Sequence, residues 1–271
     1  MTLVIAECGV AHNGDVGTAY RLADAAKESG ADIAKFQHFS SQRLWGDGRI
    51  SKLELSDAEM ATVHWHCQKI GIEFLCTPFG IPEVHFLKPL VKRMKVASGC
   101  LERWGLLEAV RDTNLPVILS TGMSDVKKIQ SALNALGLGP SHQDFTLLHC
   151  TSAYPCPMED VNLKAMDTLN WQWGKHQQHS TDSPRIVCKV GYSDHTPGIT
   201  IAIAAVAMGA EVIEKHLTLD RMQEGPDHKA SIEPKEFKVM VSAIRTVEKA
   251  LGDGVKRSRP SEAQTKAAWY G

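Results

Sequence analysis

Two short segments carry the residues best suited to chemistry, Gly191-Tyr192-Ser193-Asp194-His195-Thr196 and Glu214-Lys215-His216. Each brings polar side chains to the end of an apolar run. The stretch between them, 198–209, is rich in alanine and isoleucine and reads as a small-residue amphipathic helix. Strand, helix, strand returns the chain to one edge of a parallel sheet, so His195 and His216 are expected on neighbouring strand ends. Two imidazoles held there, with Glu7, His12 and Asp227 as further candidates, suit a catalytic metal with open coordination positions. Spacing alone also admits two unrelated histidines near loops.

Lys35 and Lys95 stand inside otherwise apolar runs. An unpaired ammonium in such a place is costly, so each needs a partner. One solution is a bound anion, with Thr77, Ser98, Ser120 and Ser193 completing a cradle for phosphate and carboxylate. The other is an internal ion pair, for example Lys35 with Glu7 or Glu214.

Positioning these residues requires a repeated scaffold, and the chain supplies one. Short apolar runs at 3–8, 33–37, 73–76, 93–97, 117–120, 145–149, 186–191 and 212–216 read as strands. Helical patterns at 17–29, 57–70, 82–91, 103–113, 124–136, 159–168 and 197–208 fall between them, and 234–251 follows the last strand. Eight strands each followed by a helix predict a TIM (β/α)8 barrel over 1–255, with 256–271 as a C-terminal tail. Asp57 is the expected N-cap of its helix, with Ser56 the competing choice, and Pro234 opens the last helix. The polar stretch 169–185, with His176 and His179, reads as an irregular surface excursion.

Composition narrows the partners. A net charge of -1 indicates no polyanion or nucleic acid. No apolar run of about 18 residues suggests a membrane span. The first residues enter a strand directly, without a signal-peptide pattern. Seven scattered cysteines without a C-x-x-C pair fit reduced thiols in the cytoplasm, with Cys8, Cys76 and Cys188 as apolar filler.

The motifs, taken together, resemble a known family. Ile5-Ala-Glu-Cys-Gly-Val-Ala-His-Asn-Gly-Asp15, Ala34-Lys-Phe-Gln37, Cys76-Thr-Pro-Phe79, Lys95-Val-Ala-Ser-Gly99, Leu119-Ser-Thr-Gly-Met123, Leu148-His-Cys-Thr151, the Ser-Asp-His-Thr segment and Gly225-Pro-Asp-His228 occur in the order of the N-acetylneuraminate (sialic acid) synthases. The resemblance implies a TIM barrel that condenses phosphoenolpyruvate with an N-acylamino sugar aldehyde such as N-acetylmannosamine. The products would be a nine-carbon 2-keto acid and phosphate. It implies a divalent metal, Mn2+ or Mg2+, on His195 and His216, and a homodimer. Glu7 would lie near the reacting carbon. Lys35, Thr77, Lys95, Ser98, Ser120 and Ser193 would contact phosphoenolpyruvate, with Gln37 and Phe79 lining the same pocket. Tyr154 and Asp227 would face the sugar, as would position 152.

Three features depart from the family pattern. Cys100 stands where a glutamate is usual, with Glu102 two residues on, and Ser152 replaces a common asparagine. The family usually adds a C-terminal antifreeze-like domain, and after Lys256-Arg-Ser-Arg-Pro-Ser-Glu262 that domain is expected either to have been removed or to be lacking in this branch. All three fall on the expected sugar side, and Cys100 is read as a mark of altered sugar handling. They keep two rivals in view: a legionaminate- or pseudaminate-type condensation, and a barrel that binds metal and anion without turnover.

Overall fold

Alternation along each strand sorts side chains into an inside and an outside, and this chain uses both faces. A computed structural model describes every residue except 47, 49, 140–144, 175–187 and 271. The strands are β1 (Leu3–Gly9), β2 (Ile33–His38), β3 (Glu73–Pro78), β4 (Met94–Val96), β5 (Val117–Ser120), β6 (Phe145–His149), β7 (Lys189–Asp194) and β8 (Val212–His216). Their order is β3-β2-β1-β8-β7-β6-β5-β4, with every laddered pair parallel. The two ends of that order, β3 and β4, lie against each other, so the sheet curls into a nearly closed TIM (β/α)8 barrel.

Around it run α1 (Val16–Glu28), α2 (Ser41–Trp45), α3 (Asp57–Ile70), α4 (Ile81–Leu87), α5 (Trp104–Arg111), α6 (Val126–Ala135), α7 (Ala165–Trp173), α8 (Thr200–Ala207), α9 (Pro234–Leu251) and α10 (Ala263–Tyr270). Their apolar stripes explain the shell. In α9, Phe237, Met240, Val241 and Ile244 recur at helical spacing and are all buried. A large core between barrel and helices collects outward strand residues such as Phe36, Val190, Tyr192 and Ile213. A smaller one fills the barrel interior with Ile5, Ile33, Leu75, Ile118, Leu148 and Val212.

Several elements differ from the sequence expectation, each for a physical reason. The seventh strand is Lys189–Asp194 and runs past the expected end at 191, because Tyr192, Ser193 and Asp194 keep their ladder partners on β8; 186 and 187 lie outside the described residues. The helix expected at 159–168 is a 3-10 turn at Met158–Asp160 followed by α7, which Met166, Leu169 and Trp173 anchor in the core. Part of the expected irregular stretch is therefore helical; 175–187, with His176 and His179, lies outside the described residues. Helix α4 stops at Leu87, ahead of Pro89, which cannot continue a helical ladder. The N-cap of α3 is Ser56, not Asp57. Ser56 Oγ accepts from the Glu59 N–H, and Glu59 accepts from the Ser56 N–H, a reciprocal box. Asp57 instead meets His38 at 2.8 Å. Helix α8 is not amphipathic: Ile201 and Ile203 pack against the core as well as Ala202, Ala205 and Val206. Residues 256–271 hold α10, and all the described ones are exposed.

Candidate active site

The barrel is layered. Stepping two residues along a strand from the interior apolar layer leads from Ile5 to Glu7, Ile33 to Lys35 and Leu75 to Thr77. It also leads from Ile118 to Ser120, Leu148 to Cys150 and Val212 to Glu214. Each second residue lines one cavity of about 360 Å³ at the C-terminal ends of the strands. Period-two geometry thus places a polar ring directly above an apolar floor. On β7 the floor position is Gly191, where a Cβ would stand 2.3 Å from the Val212 carbonyl oxygen and 2.8 Å from Leu148 Cδ2. Only glycine allows β7 and β8 to approach so closely there.

Three buried charges form the centre of the ring. Lys35 Nζ lies 2.7 Å from Glu7 Oε2, 3.2 Å from Glu214 Oε2 and 3.3 Å from Thr77 Oγ1. The internal ion pair is therefore present for Lys35, and with both carboxylates. Burial opposes the lysine's charge, but the two carboxylates outweigh it and hold its pKa above the ordinary lysine value. The carboxylates then separate. Burial raises the Glu7 carboxyl, which Lys35 only partly offsets. Burial also works against Glu214, but Lys35, Lys95 and the Ser193 hydroxyl pull it down to about 2. The two carboxyls are thus pushed in opposite directions, Glu7 up and Glu214 down, a separation of the kind that divides acid from base. Gln37 Nε2 donates to Glu7 Oε1 at 2.7 Å and fixes that group.

Lys95 is different. Its ammonium donates to Ser120 Oγ at 2.7 Å and to the Val96 carbonyl at 3.1 Å, both uncharged. Among the described residues no carboxylate lies at ion-pair distance, and burial pushes its pKa down. Ser98, which accepts from the Gly122 N–H at 3.0 Å, and Thr77 complete a concave set of donors. A small dianion would supply the counter-charge that Lys95 lacks.

The histidines meet on the opposite wall. Their ring centroids are 5.5 Å apart, and Tyr154 packs over them at 4.2 Å from His195 and 5.6 Å from His216. His195 Nδ1 donates to the Thr151 carbonyl at 2.6 Å, which leaves Nε2 unprotonated. Ser193 Oγ is 3.3 Å from that nitrogen but gives its proton to Glu214 at 2.8 Å, so the lone pair stays available. Burial holds the His195 pKa down at about 3, keeping the ring neutral. His216 Nδ1 and Asp227 Oδ2 are buried 3.5 Å apart without hydrogen-bond partners. These nitrogen and oxygen donors fit part of a divalent-ion coordination set. Among the described residues no three His, Cys, Asp or Glu side chains are gathered tightly enough to hold an ion alone. Water or substrate would have to supply the remaining positions.

Asp227 reaches this wall because Gly9, at φ +46°, leaves room: a Cβ there would stand 2.6 Å from Asp227 Oδ2. His228 anchors the same loop, with Thr218 Oγ1 2.7 Å from its Nδ1.

The cavity brings together Glu7, Lys35, Gln37, Thr77, Phe79, Lys95, Ser98, Ser120, Ser152, Tyr154, Ser193, His195, His216 and Asp227. His12 does not line it; its Nδ1 accepts from the Gly14 N–H at 3.0 Å, shaping the loop after β1. Cys100 does not line it either. Its side chain sits in the core between barrel and helices, 1% exposed, so its expected place beside the sugar is corrected. Glu102 points to solvent and pairs with Lys128 at 3.0 Å. Of the departures among described positions, Ser152 is the one at the cavity, with a buried hydroxyl that finds no partner. The site member that sequence reasoning misses is Glu214, which reads from sequence only as a possible partner of Lys35. Its spacing between Val212 and His216 is the available signal. A wider hollow of about 610 Å³ opens at the other barrel end, but its Arg93 and Glu248 are already paired, with Glu73 and Arg245.

Comparison with known proteins points the same way. The NeuB family matches residues 22–256. The N,N'-diacetyllegionaminic acid synthase of Campylobacter jejuni is 42% identical, over 96% of this chain and 80% of its own. The N-acetylneuraminate-9-phosphate synthase of Mus musculus is 36% identical over 96% of this chain and 74% of its own. The crystal structure of N-acetylneuraminic acid synthetase from Leptospira borgpetersenii, in complex with citrate, superposes with a TM-score of 0.87 at 34% identity. That match covers 100% of this chain and 92% of the other.

Proposed function

The chain belongs to the NeuB family, and from that premise we propose that it condenses phosphoenolpyruvate with an N-acylamino sugar aldehyde, N-acetylmannosamine or a relative. The products are a nine-carbon 2-keto acid and phosphate. The observation that carries this reading is one cavity in which an unpaired buried lysine faces hydroxyls, a lysine-bridged carboxylate pair and two imidazoles.

In this reading Lys95, Thr77, Ser98 and Ser120 hold the phosphate and carboxylate of phosphoenolpyruvate and orient its C3 toward the aldehyde. As C3 bonds to the aldehyde carbon, the aldehyde oxygen takes a proton, which Glu7 is poised to give. Positive charge develops at C2 and is offset by ionised Glu214. Water adds to C2, one of its protons returning to Glu7, and the tetrahedral carbon becomes the ketone by C–O cleavage, its hydroxyl proton leaving with the expelled phosphate. Tyr154, Ser152 and Asp227 line the side left for the sugar. The proposal includes a divalent cation, Mn2+ or Mg2+, held by His195 and His216, which when bound supplies Lewis-acid polarisation of a carbonyl. It also includes a cytoplasmic location and a homodimer.

Phosphate release from phosphoenolpyruvate with Mn2+ and a panel of mono- and diacetamido sugars tests the reading. Release that needs both sugar and metal, and that stops on chelation or in Glu7→Gln, is the expected result. Phosphate release independent of every sugar would contradict it.

A further inference from the structure

Between the paired cavity residues of β7 and β8 stand two charges that face the other way. Ser193 and His195 point into the cavity, as do Glu214 and His216. Alternation therefore turns Asp194 and Lys215 outward into the core between barrel and helices, where both side chains are 0% exposed. The two residues are direct partners across the ladder, and Lys215 Nζ meets Asp194 Oδ2 at 2.8 Å. The pair does more than neutralise itself. Asp194 Oδ1 accepts from the Thr196 N–H at 2.9 Å and from its hydroxyl at 2.8 Å. The Lys215 ammonium also donates to the Thr196 carbonyl. Asp194 and Thr196 thus close a tight turn with His195 at its apex, and Lys215 clamps both arms of that turn to the strand that carries His216.

A buried ion pair is a poor way to gain stability, since apolar side chains of similar volume commonly do as well or better. Lower on the same faces the chain does use apolar residues, with Val190 and Tyr192 on β7 and Ile213 on β8. Charge at 194 and 215 is confined to the level of the two histidines. What an ion pair with three further hydrogen bonds supplies, and a Val–Ile contact does not, is direction.

We propose that Asp194, Lys215 and Thr196 form a brace that positions His195 against His216 and keeps the His195 Nδ1–Thr151 bond in register. They are positioning residues: none of them lines the cavity. The proposal rests on the metal reading above for its consequence, weaker cation binding when the brace is lost, but the ring position it predicts exists without metal.

The test uses the full chain and the double variant Asp194→Asn, Lys215→Met, which removes both charges together and leaves neither buried alone. Two quantities are read: exchange of the His195 Nδ1 proton by NMR without metal, and the Kd for Mn2+. With the fold retained by circular dichroism, ring-proton exchange should accelerate and Mn2+ binding should weaken by about tenfold or more, the usual effect of losing groups that orient a ligand. Movement of either readout supports the brace; both remaining within about twofold overturns it. Should the double variant not fold, Thr196→Val, which keeps volume and ion pair, decides by the same two readouts with a smaller shift of roughly threefold. An unaltered chain that fails to bind Mn2+ counts against the metal reading alone, and proton exchange then decides the brace.

Discussion

Lys35 and Lys95 are the same residue in the same kind of strand, yet their removal should have opposite effects. Lys35 neutralises two buried carboxylates. Lys35→Met strands both, and urea unfolding should show a loss of about 3–5 kcal/mol. Lys95 has only neutral partners and a charge that burial disfavours. Lys95→Met should leave stability equal or higher while raising the KM for phosphoenolpyruvate roughly 10- to 100-fold, the effect of one charge-assisted hydrogen bond. Equal destabilisation by the two variants would contradict this division. His12 offers a pH test. Burial holds its pKa down at about 4, against 6.5 for the free ring, and its Nε2 is buried without a partner. Between those values the unfolded chain binds a proton that the folded chain does not, so this contribution to stability falls as pH drops. The stability advantage of the unaltered chain over His12→Asn should shrink by about 1–3 kcal/mol from roughly pH 6.5 to 4. A constant difference over that range would rule the assignment out.

Helix and strand positions carry their own tests. Ser56 caps α3 through the reciprocal box with Glu59, so Ser56→Ala should cost about 1 kcal/mol. Asp57→Ala, which removes an exposed partner of His38, should cost less. The reverse ranking in thermal melts would restore Asp57 as the cap. Gly191→Ala drives a methyl into the Val212 carbonyl and should cost about 1–3 kcal/mol by overpacking the β7–β8 contact. A Gly191→Ala variant as stable as the original would mean that the strands can separate there. Much of this level is legible in the sequence, because period-two patterns place Lys35, Glu7 and Thr77 on one face whatever the tertiary context. What is not legible depends on contacts between distant segments or on local geometry. Asp57 and Ser56 are equally good caps by composition, and only the reach of Glu59 decides. Cys100 aligns with a site glutamate along the chain, yet the 3-10 turn Ser98–Cys100 rotates its side chain into the core. Glu214 reads from sequence as a counter-ion and not as a site member, since one residue can be both.

At the scale of the molecule, the apolar layer of Ile5, Ile33, Leu75, Ile118, Leu148 and Val212 separates two barrel mouths. One gathers buried charges above that floor; the other has ion pairs that already satisfy one another. The first mouth holds the buried Lys95, which among the described residues has no carboxylate at ion-pair distance, and chemistry is expected there. Among the described residues no helix is long and apolar enough to cross a membrane, and the net charge of -1 offers no field for a polyanion. Small anionic and neutral substrates meeting in one cavity are the centre of the proposed chemistry. Mass spectrometry of the products formed from phosphoenolpyruvate, Mn2+ and N-acetylmannosamine or a diacetamido sugar tests that most directly. The expected product is a single new acid whose mass is that of the sugar plus pyruvic acid, with free phosphate in equal amount. Bound phosphoenolpyruvate and Mn2+ with no such acid from any sugar in the panel would contradict it.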